Sequence, residues 1–352
     1  QRREEESVSS LSKYAVSCPV RVVSFDLDNT LWRTGPTISG ANDALAEYLD
    51  SKGVDVPVRI EKVMGKLFKQ SKTTYASSDD AKGPTQLTKL RKDALRYAIL
   101  EEESTEAPAE VVENVDTFVE EAFHTWTRQR HELIPVNFAS NVVDTLKLIR
   151  GIDKDILIGA ITDGNSDPRS IPELEPYFDF VVNAETVGVS KPDPKIYVEA
   201  MRKAVEAAPS LRRGLFDDQD ANLISNDLLE DTMGPWWVHV GDDFIKDMVA
   251  AKSLKMRCIL AKELIVKVDK SPDDDSNNQR PKKTLEEFIA DMAKKGNVIN
   301  MDMGGDDYLE QSMQKDYVDG FCDRFDEIGT LIQTWHEEGL MGVANTVQEK
   351  SG

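Results

Sequence analysis

The chain has 352 residues, enough for a sizeable core and two domains, and its 40% hydrophobic and 30% charged content is that of a soluble globular protein. A net charge of −21 and a pI near 4.7 argue against affinity for nucleic acid backbones or anionic membranes, and no apolar run approaches membrane-spanning length. The three cysteines (Cys18, Cys258 and Cys322) lack metal-ligand spacing and are too few for a disulfide framework, which fits a reducing compartment.

Residues 1–19 begin QRREEESVSS and are expected to be a polar tail. A chain that opens on Gln1 is expected to be either trimmed or processed, with any targeting peptide out of view, and the expected location is soluble and intracellular, in cytoplasm or plastid. The first strong signal is Val20–Leu27, an apolar run of the kind that forms a strand buried on both faces. It ends in Asp26 and Asp28, which strand alternation points the same way. Carboxylates at such a place are costly unless paired or bound to metal, and open α/β sheets take their ligands at this end of the strands. The alternative is an N-cap and turn through Asn29-Thr30.

From Ser39 to Leu133 the pattern is helical, broken at Pro57, Gly83-Pro84 and Pro108. That is far too long for a loop, so residues 35–134 are expected to form a helical domain inserted after the first strand. It carries two basic, aromatic-leaning stretches, KLRKDALRYA and TWTRQRHEL. Their arginines could grip a second anion and their rings could stack on a base or flavin, which makes Arg91, Trp126 and Arg128 candidate specificity residues. Ordinary helix, with buried rings and solvated arginines, is the competing reading.

Four more strands are expected at Ile156–Thr162, Phe178–Ala184, Trp236–Gly241 and Met256–Ala261. Helical patterns at Asn141–Arg150, Pro194–Ala207 and Phe244–Ser253 separate them, giving an α/β core over residues 20–34 and 135–262. Residues 209–233 interrupt it as an insertion. Residues 263–352 read as an acidic extension that opens on a low-complexity linker and holds roughly half of the net charge. Its apolar residues, including Phe321, Ile328, Leu331 and Trp335, suggest helix packing on the body, and its charge suggests a surface for a protein partner.

In this order DLDNTLW, AITDGN, SKPDPKIY and HVGDDFIKD resemble the four motifs of the haloacid dehalogenase-like hydrolase superfamily, specifically its phosphatases with a helical cap between the first two motifs. The resemblance covers residues 20–262. It implies a Rossmann-like parallel sheet ordered third, second, first, fourth, fifth, and Mg²⁺-dependent hydrolysis of a small-molecule phosphate monoester through an aspartyl-phosphate. Asp26 would be the nucleophile, and Asp28 the general acid and then the base. Thr162 and backbone amides, Asp163 among them, would hold the phosphate while Lys191 offsets its charge. Mg²⁺ would bind Asp26, the Asp28 carbonyl and Asp242, with Asp243 and Asp247 ordering its surroundings.

Dehalogenases of the superfamily lack a carboxylate two residues after the nucleophile, so Asp28 favours phosphate esters over carbon–halogen bonds. Asp163 stands where the motif often has asparagine, and is expected to turn away from the anion. The chain as a whole is most similar to a bacterial flavin-pathway branch acting on FMN and 5-amino-6-(5-phospho-ribitylamino)uracil. Phosphoglycolate, sugar phosphates and pyrimidine nucleotides are the alternatives, and a regulatory protein acting through the acidic extension is the reading from another class.

Overall fold

The five apolar runs become five strands of one sheet: β1 (Val22–Phe25), β2 (Leu157–Thr162), β3 (Phe180–Asn183), β4 (Trp237–Gly241) and β5 (Arg257–Ala261). The computed structural model describes residues 18–78, 81–101, 106–217, 219–265 and 317–351. Within these, the strand order is β3-β2-β1-β4-β5-β6 with every neighbouring pair parallel, the order implied by the motifs plus one further strand. The chain runs outward from β1 through β2 to β3, then returns to the other side of β1 for β4. The order therefore reverses between β1 and β4, which is where a parallel sheet opens a crevice for ligands.

Alternation along the strands divides the core. Val23, Phe25, Ile158, Val238 and Val240 face one side with helix α5 (Val142–Ile152), while Val22, Ile161 and Trp237 face the other with α6 (Pro194–Ala207). Between β1 and α5 lies the helical insertion, whose main elements are α1 (Thr34–Ser51), α2 (Ile60–Gln70), α3 (Leu87–Leu100) and α4 (Val115–Leu133). It has its own apolar core, including Leu45, Leu95, Val119 and Trp126.

Residues 209–233 do not stand apart from the core. They form α7 (Pro209–Phe216) and α8 (Asn226–Thr232), and Leu211, Phe216, Leu229 and Met233 are buried with α6. Arg202 of α6 ties this segment down by donating to the carbonyls of Ala221 and Ile224. The stretch expected to run as one helix over Phe244–Ser253 instead opens with a π-type turn at Phe244–Val249.

The acidic extension supplies something the strand pattern did not announce. Gly320–Cys322 is a sixth strand, β6, parallel to β5, and Glu327–Ser351 is helix α9. Three residues between Asp319 and Asp323 are too short to show a period. Phe325 is 1% exposed with its ring centroid 5.9 Å from that of Phe25, and Ile328 and Ile332 are fully buried. His336 donates from Nδ1 to the Val20 carbonyl at 3.0 Å. The linker of the extension lies outside the described residues, as do Leu285, Phe288 and Ile289. Among the described residues no helix is long and apolar enough to cross a membrane.

Because Phe325 fills the space over β1, Phe325→Ala is expected to lower unfolding stability by about 3–5 kcal/mol in a urea titration. A loss under about 1 kcal/mol would mean that the segment is not part of the cooperative core.

Candidate active site

Asp26 continues β1 by donating its N–H to the Val240 carbonyl at 2.8 Å, which fixes its side chain at the crevice mouth. The chain then turns sharply, with Asn29 at φ 60°, a left-handed conformation that asparagine tolerates. The turn brings Trp32 and Thr34 over Asp28, whose Oδ1 accepts from the indole N–H at 3.2 Å and the Thr34 hydroxyl at 3.0 Å. Its other oxygen faces Gly164, where any Cβ would collide with it. Thr162 closes β2, and its hydroxyl accepts the Gly164 N–H at 3.0 Å.

Lys191, 2% exposed, reaches in from the loop after β3 and donates to Asp26 Oδ1 and to Asp247 Oδ1, each at 2.6 Å. Burial alone would lower its pKa, but the two carboxylates outweigh burial and hold it well above the ordinary lysine value. Asp247 shows the reverse balance: burial would raise it, yet Lys191 and His239 keep it below the usual carboxylate range. Behind it, His239 Nε2 meets Asp247 Oδ1 at 3.2 Å, His239 Nδ1 meets Ser24 Oγ at 2.8 Å, and Trp237 donates to Ser24 Oγ at 2.7 Å. A carboxylate can only accept, so Nε2 carries a proton. Burial lowers the pKa of His239, and in the neutral ring Nδ1 accepts the Ser24 proton.

Asp26, Asp242 and Asp247 present oxygens within 4.8 Å of one another, and the Thr30 hydroxyl bridges Asp26 and Asp242 at 3.4 and 3.2 Å. Burial raises Asp26 to about 7 against the pull of Lys191, and burial with Asp26 nearby raises Asp242. Such crowding of partly protonated carboxylates is what a cation relieves, and an all-oxygen donor set suits a hard ion such as Mg²⁺. Asp26 and Asp242, with the Asp28 backbone carbonyl, are the groups suited to hold it. Asp247 is already engaged, Oδ1 with Lys191 and His239 and Oδ2 with the Asp243 N–H at 3.1 Å. Asp243 is a turn cap: its Oδ1 accepts from the N–H groups of Ile245 and Lys246, each at 2.9 Å. Asp163 turns its carboxylate to the Lys191 N–H at 2.8 Å and to Lys246 at 3.0 Å.

The cap closes over this floor and leaves a cavity of about 160 Å³, lined by Asp28, Gly164 and Asn165 below and by Arg91, Trp126 and Arg130 above. A wider open depression of about 410 Å³ between α5 and α9 carries no comparable cluster. Arg128, expected among the specificity residues, is exposed and away from the cavity, whereas Arg130 lines it. Both arginines belong to the TWTRQRHEL stretch expected to bear on specificity, and Arg130 is the one that shares a helix face with Trp126, four residues away. Trp126 is 2% exposed, with Arg91 3.9 Å and Arg130 5.3 Å from its ring centroid, so it offers no open face to a flavin or base. Asn42 and Asn165 were not singled out in the sequence, and Thr30 entered only as part of a turn. Asn42 accepts from both Arg91 and Trp126, and Asn165 bonds Arg130 and Thr88 across the gap from core to cap.

A family model described as haloacid dehalogenase-like hydrolase matches residues 20–210. Among solved structures, 2-haloacid dehalogenase from Pseudomonas syringae pv. Tomato DC3000 is 22% identical, with 90% of this chain and 99% of that one covered at a TM-score of 0.53. A putative beta-phosphoglucomutase from Thermotoga maritima is 16% identical (90% and 99% covered, TM-score 0.42), and a HAD phosphatase from Thermococcus onnurineus is 15% identical (89% and 98% covered, TM-score 0.37). At these identities the likeness concerns the fold. No curated protein matches the chain.

If the carboxylate cluster takes a divalent ion, binding must displace the proton that Asp26 holds near neutrality. Mg²⁺ affinity is expected to fall as the pH drops below about 7, by up to about tenfold per unit for one displaced proton. Calorimetry in buffers of different ionisation enthalpy checks this; no proton release between pH 6 and 7 would contradict it.

Proposed function

The chain belongs to the haloacid dehalogenase-like hydrolase family, and on that premise we propose that it hydrolyses a small phosphate monoester through a phosphorylated Asp26. The observation that carries the reading is the second carboxylate. Asp28 lines the cavity with one oxygen held by Trp32 and Thr34 and the other, without such a partner, against Gly164, and there it can give a leaving alcohol its proton. Cleavage of a carbon–halogen bond expels halide and has no use for such an acid.

An Asp26 oxygen attacks phosphorus as the ester P–O bond breaks, and Asp28 gives its proton to the departing oxygen. Asp28 then takes a proton from water, whose oxygen attacks phosphorus, breaks the bond to Asp26 and releases inorganic phosphate. Lys191 favours ionised Asp26 and offsets the charge of the phosphoryl oxygens, while the Thr162–Gly164 turn brings backbone amides close to them. A bound Mg²⁺ supplies further charge neutralisation at the phosphoryl group. Asp26 and Asp242 supply its carboxylates in this reading, while Asp243 and Asp247 hold the turn and Lys191.

The cavity bears on the substrate. About 160 Å³ is well below the roughly 300–1,000 Å³ of pockets that take drug-sized ligands. Esters of a few carbons fit the closed cap, whereas the flavin-pathway phosphates suggested by the motifs would require it to open.

Asp26→Asn is expected to cut Mg²⁺-dependent phosphate release by at least about 10⁴-fold and to remove acid-stable phosphate label from the chain. Asp28→Asn is expected to slow alkyl phosphates by about 10²–10⁴-fold, and p-nitrophenyl phosphate much less, because nitrophenolate leaves without a proton. The difference is read in the first step, the burst of alcohol or nitrophenolate release, because the later attack of water is common to both esters; equal losses in that burst would remove Asp28 from the acid role. No activity above Asp26→Asn on any ester would favour a binding protein built on this scaffold.

A further inference from the structure

The roof of the cavity holds two positive charges that the hydrolytic step does not use. Arg91 and Arg130 are 6% and 4% exposed, yet among the described residues neither has a carboxylate within hydrogen-bonding distance. Arg91 donates to Asn42 Oδ1 at 3.1 Å, a neutral partner, and Asn42 in turn donates to Glu61, whose charge reaches Arg91 without a direct bond. Arg130 donates to Asn165 Oδ1, its Nη2 stands 3.9 Å from Asp28 Oδ1, and its buried Nε has no hydrogen-bond partner among the described residues. Trp126 lies against both guanidinium groups and steers them by cation–π contact, while its own N–H donates to Asn42 at 2.8 Å. Burying two like charges is costly unless an anion completes the site. The ester phosphate sits on the floor, with Thr162 and Lys191, in the reading given above.

We infer that the substrate carries a second anionic group one or two carbons from the ester oxygen, and that Arg130 and Arg91 bind it. The inference rests on the phosphatase reading for the position of the ester. Arg130 Nη2 stands 3.9 Å from Oδ1 of the carboxylate whose other oxygen would bond the ester oxygen, so a group one or two carbons further comes within reach of the guanidinium. The fork of N–H donors on arginine suits a carboxylate or a phosphate. The small cavity favours the carboxylate of a short hydroxy-acid phosphate over a second phosphate. A neutral alcohol phosphate of equal length would leave Arg130 with only the Asp28 carboxylate at 3.9 Å and Arg91 with only the more distant charge of Glu61.

The experiment uses the full chain with Mg²⁺ and three esters of similar length: 2-phosphoglycolate, ethyl phosphate and ethylene glycol bisphosphate. kcat/KM is expected to favour at least one of the two anionic esters over ethyl phosphate by roughly 10- to 150-fold, mostly through KM. Which of them is preferred identifies the second group as carboxylate or phosphate. Arg91→Met and Arg130→Met should each shrink that preference by about tenfold or more, and Arg91→Lys should restore part of it. Equal turnover of charged and neutral esters, or a preference that survives both methionine variants, would overturn the inference. Should those variants fail to fold, calorimetric binding of 3-phosphonopropionate against propylphosphonate to the unaltered chain decides it. Tighter binding of the former supports the site, and equal binding refutes it. Hydrolysis without discrimination would leave the phosphatase reading standing alone, whereas discrimination by the phosphonates without hydrolysis of any ester would leave the anion site standing alone.

Discussion

The ammonium of Lys191, clamped at 2.6 Å between Asp26 and Asp247, is the contact on which the rest of the site depends. It joins chain segments 165 and 56 residues apart in a place closed to water. Without it, the carboxylates of Asp26, Asp242 and Asp247 would crowd together without a compensating charge, and breaking such a buried pair costs about 3–5 kcal/mol. The sheet order makes the clamp possible. Asp26 ends β1, Asp247 follows β4, and Lys191 comes over from the loop beyond β3, so the three meet only because β1 lies between β2 and β4. The chain of Trp237, Ser24 and His239 then holds Asp247 from behind, leaving little freedom for any charge at the floor. Fixed charges of this kind are suited to stabilising a transferring phosphoryl group without reorganisation.

Core and cap divide the work by chemistry. The core offers a fixed set of carboxylates around one ammonium, whereas the cap offers two guanidinium groups around one indole. Where they meet beside the cavity, the contacts are polar. Asn165 reaches Thr88 at 3.1 Å and bonds Arg130, and Glu185 accepts from the Thr88 hydroxyl at 2.8 Å while its carbonyl accepts from Gln86 at 3.0 Å. Polar seams between domains open at less cost than apolar ones. That matters here because the cavity of about 160 Å³ lies along this seam, and parting it would enlarge the space beneath the cap.

How much of this the sequence carries depends on the range of the interaction concerned. Strands of alternating or continuous apolar residues and helices of 3.6-residue period reveal themselves within a few residues, so β1 to β5 and the helical insertion are legible directly. The pair Asp26 and Asp28 is legible for the same reason, because strand alternation alone sets their common direction. Strand β6 is not, since the three residues Gly320–Cys322 are too few to establish a period and gain their place from β5 and from Phe325 packing on Phe25. Nor is the burial of residues 209–233, which depends on α6 offering Arg202 and an apolar face.

Local chemistry by itself determined the α/β architecture, the inserted helical domain and the string of charged residues at the strand ends. The tertiary structure decided what those charges do. Asp243 and Asp247 look alike in sequence, yet one caps a turn and the other anchors Lys191, because backbone N–H groups surround the first and an ammonium meets the second. Asp163 turns its carboxylate aside because Lys246 and the Lys191 N–H claim it. Arg128 and Arg130 are near-equivalent in a string of letters, but two residues on a helix are about 200° of rotation. That rotation sends one guanidinium into solvent and the other over Asp28, and only the packing of α4 on the core selects which.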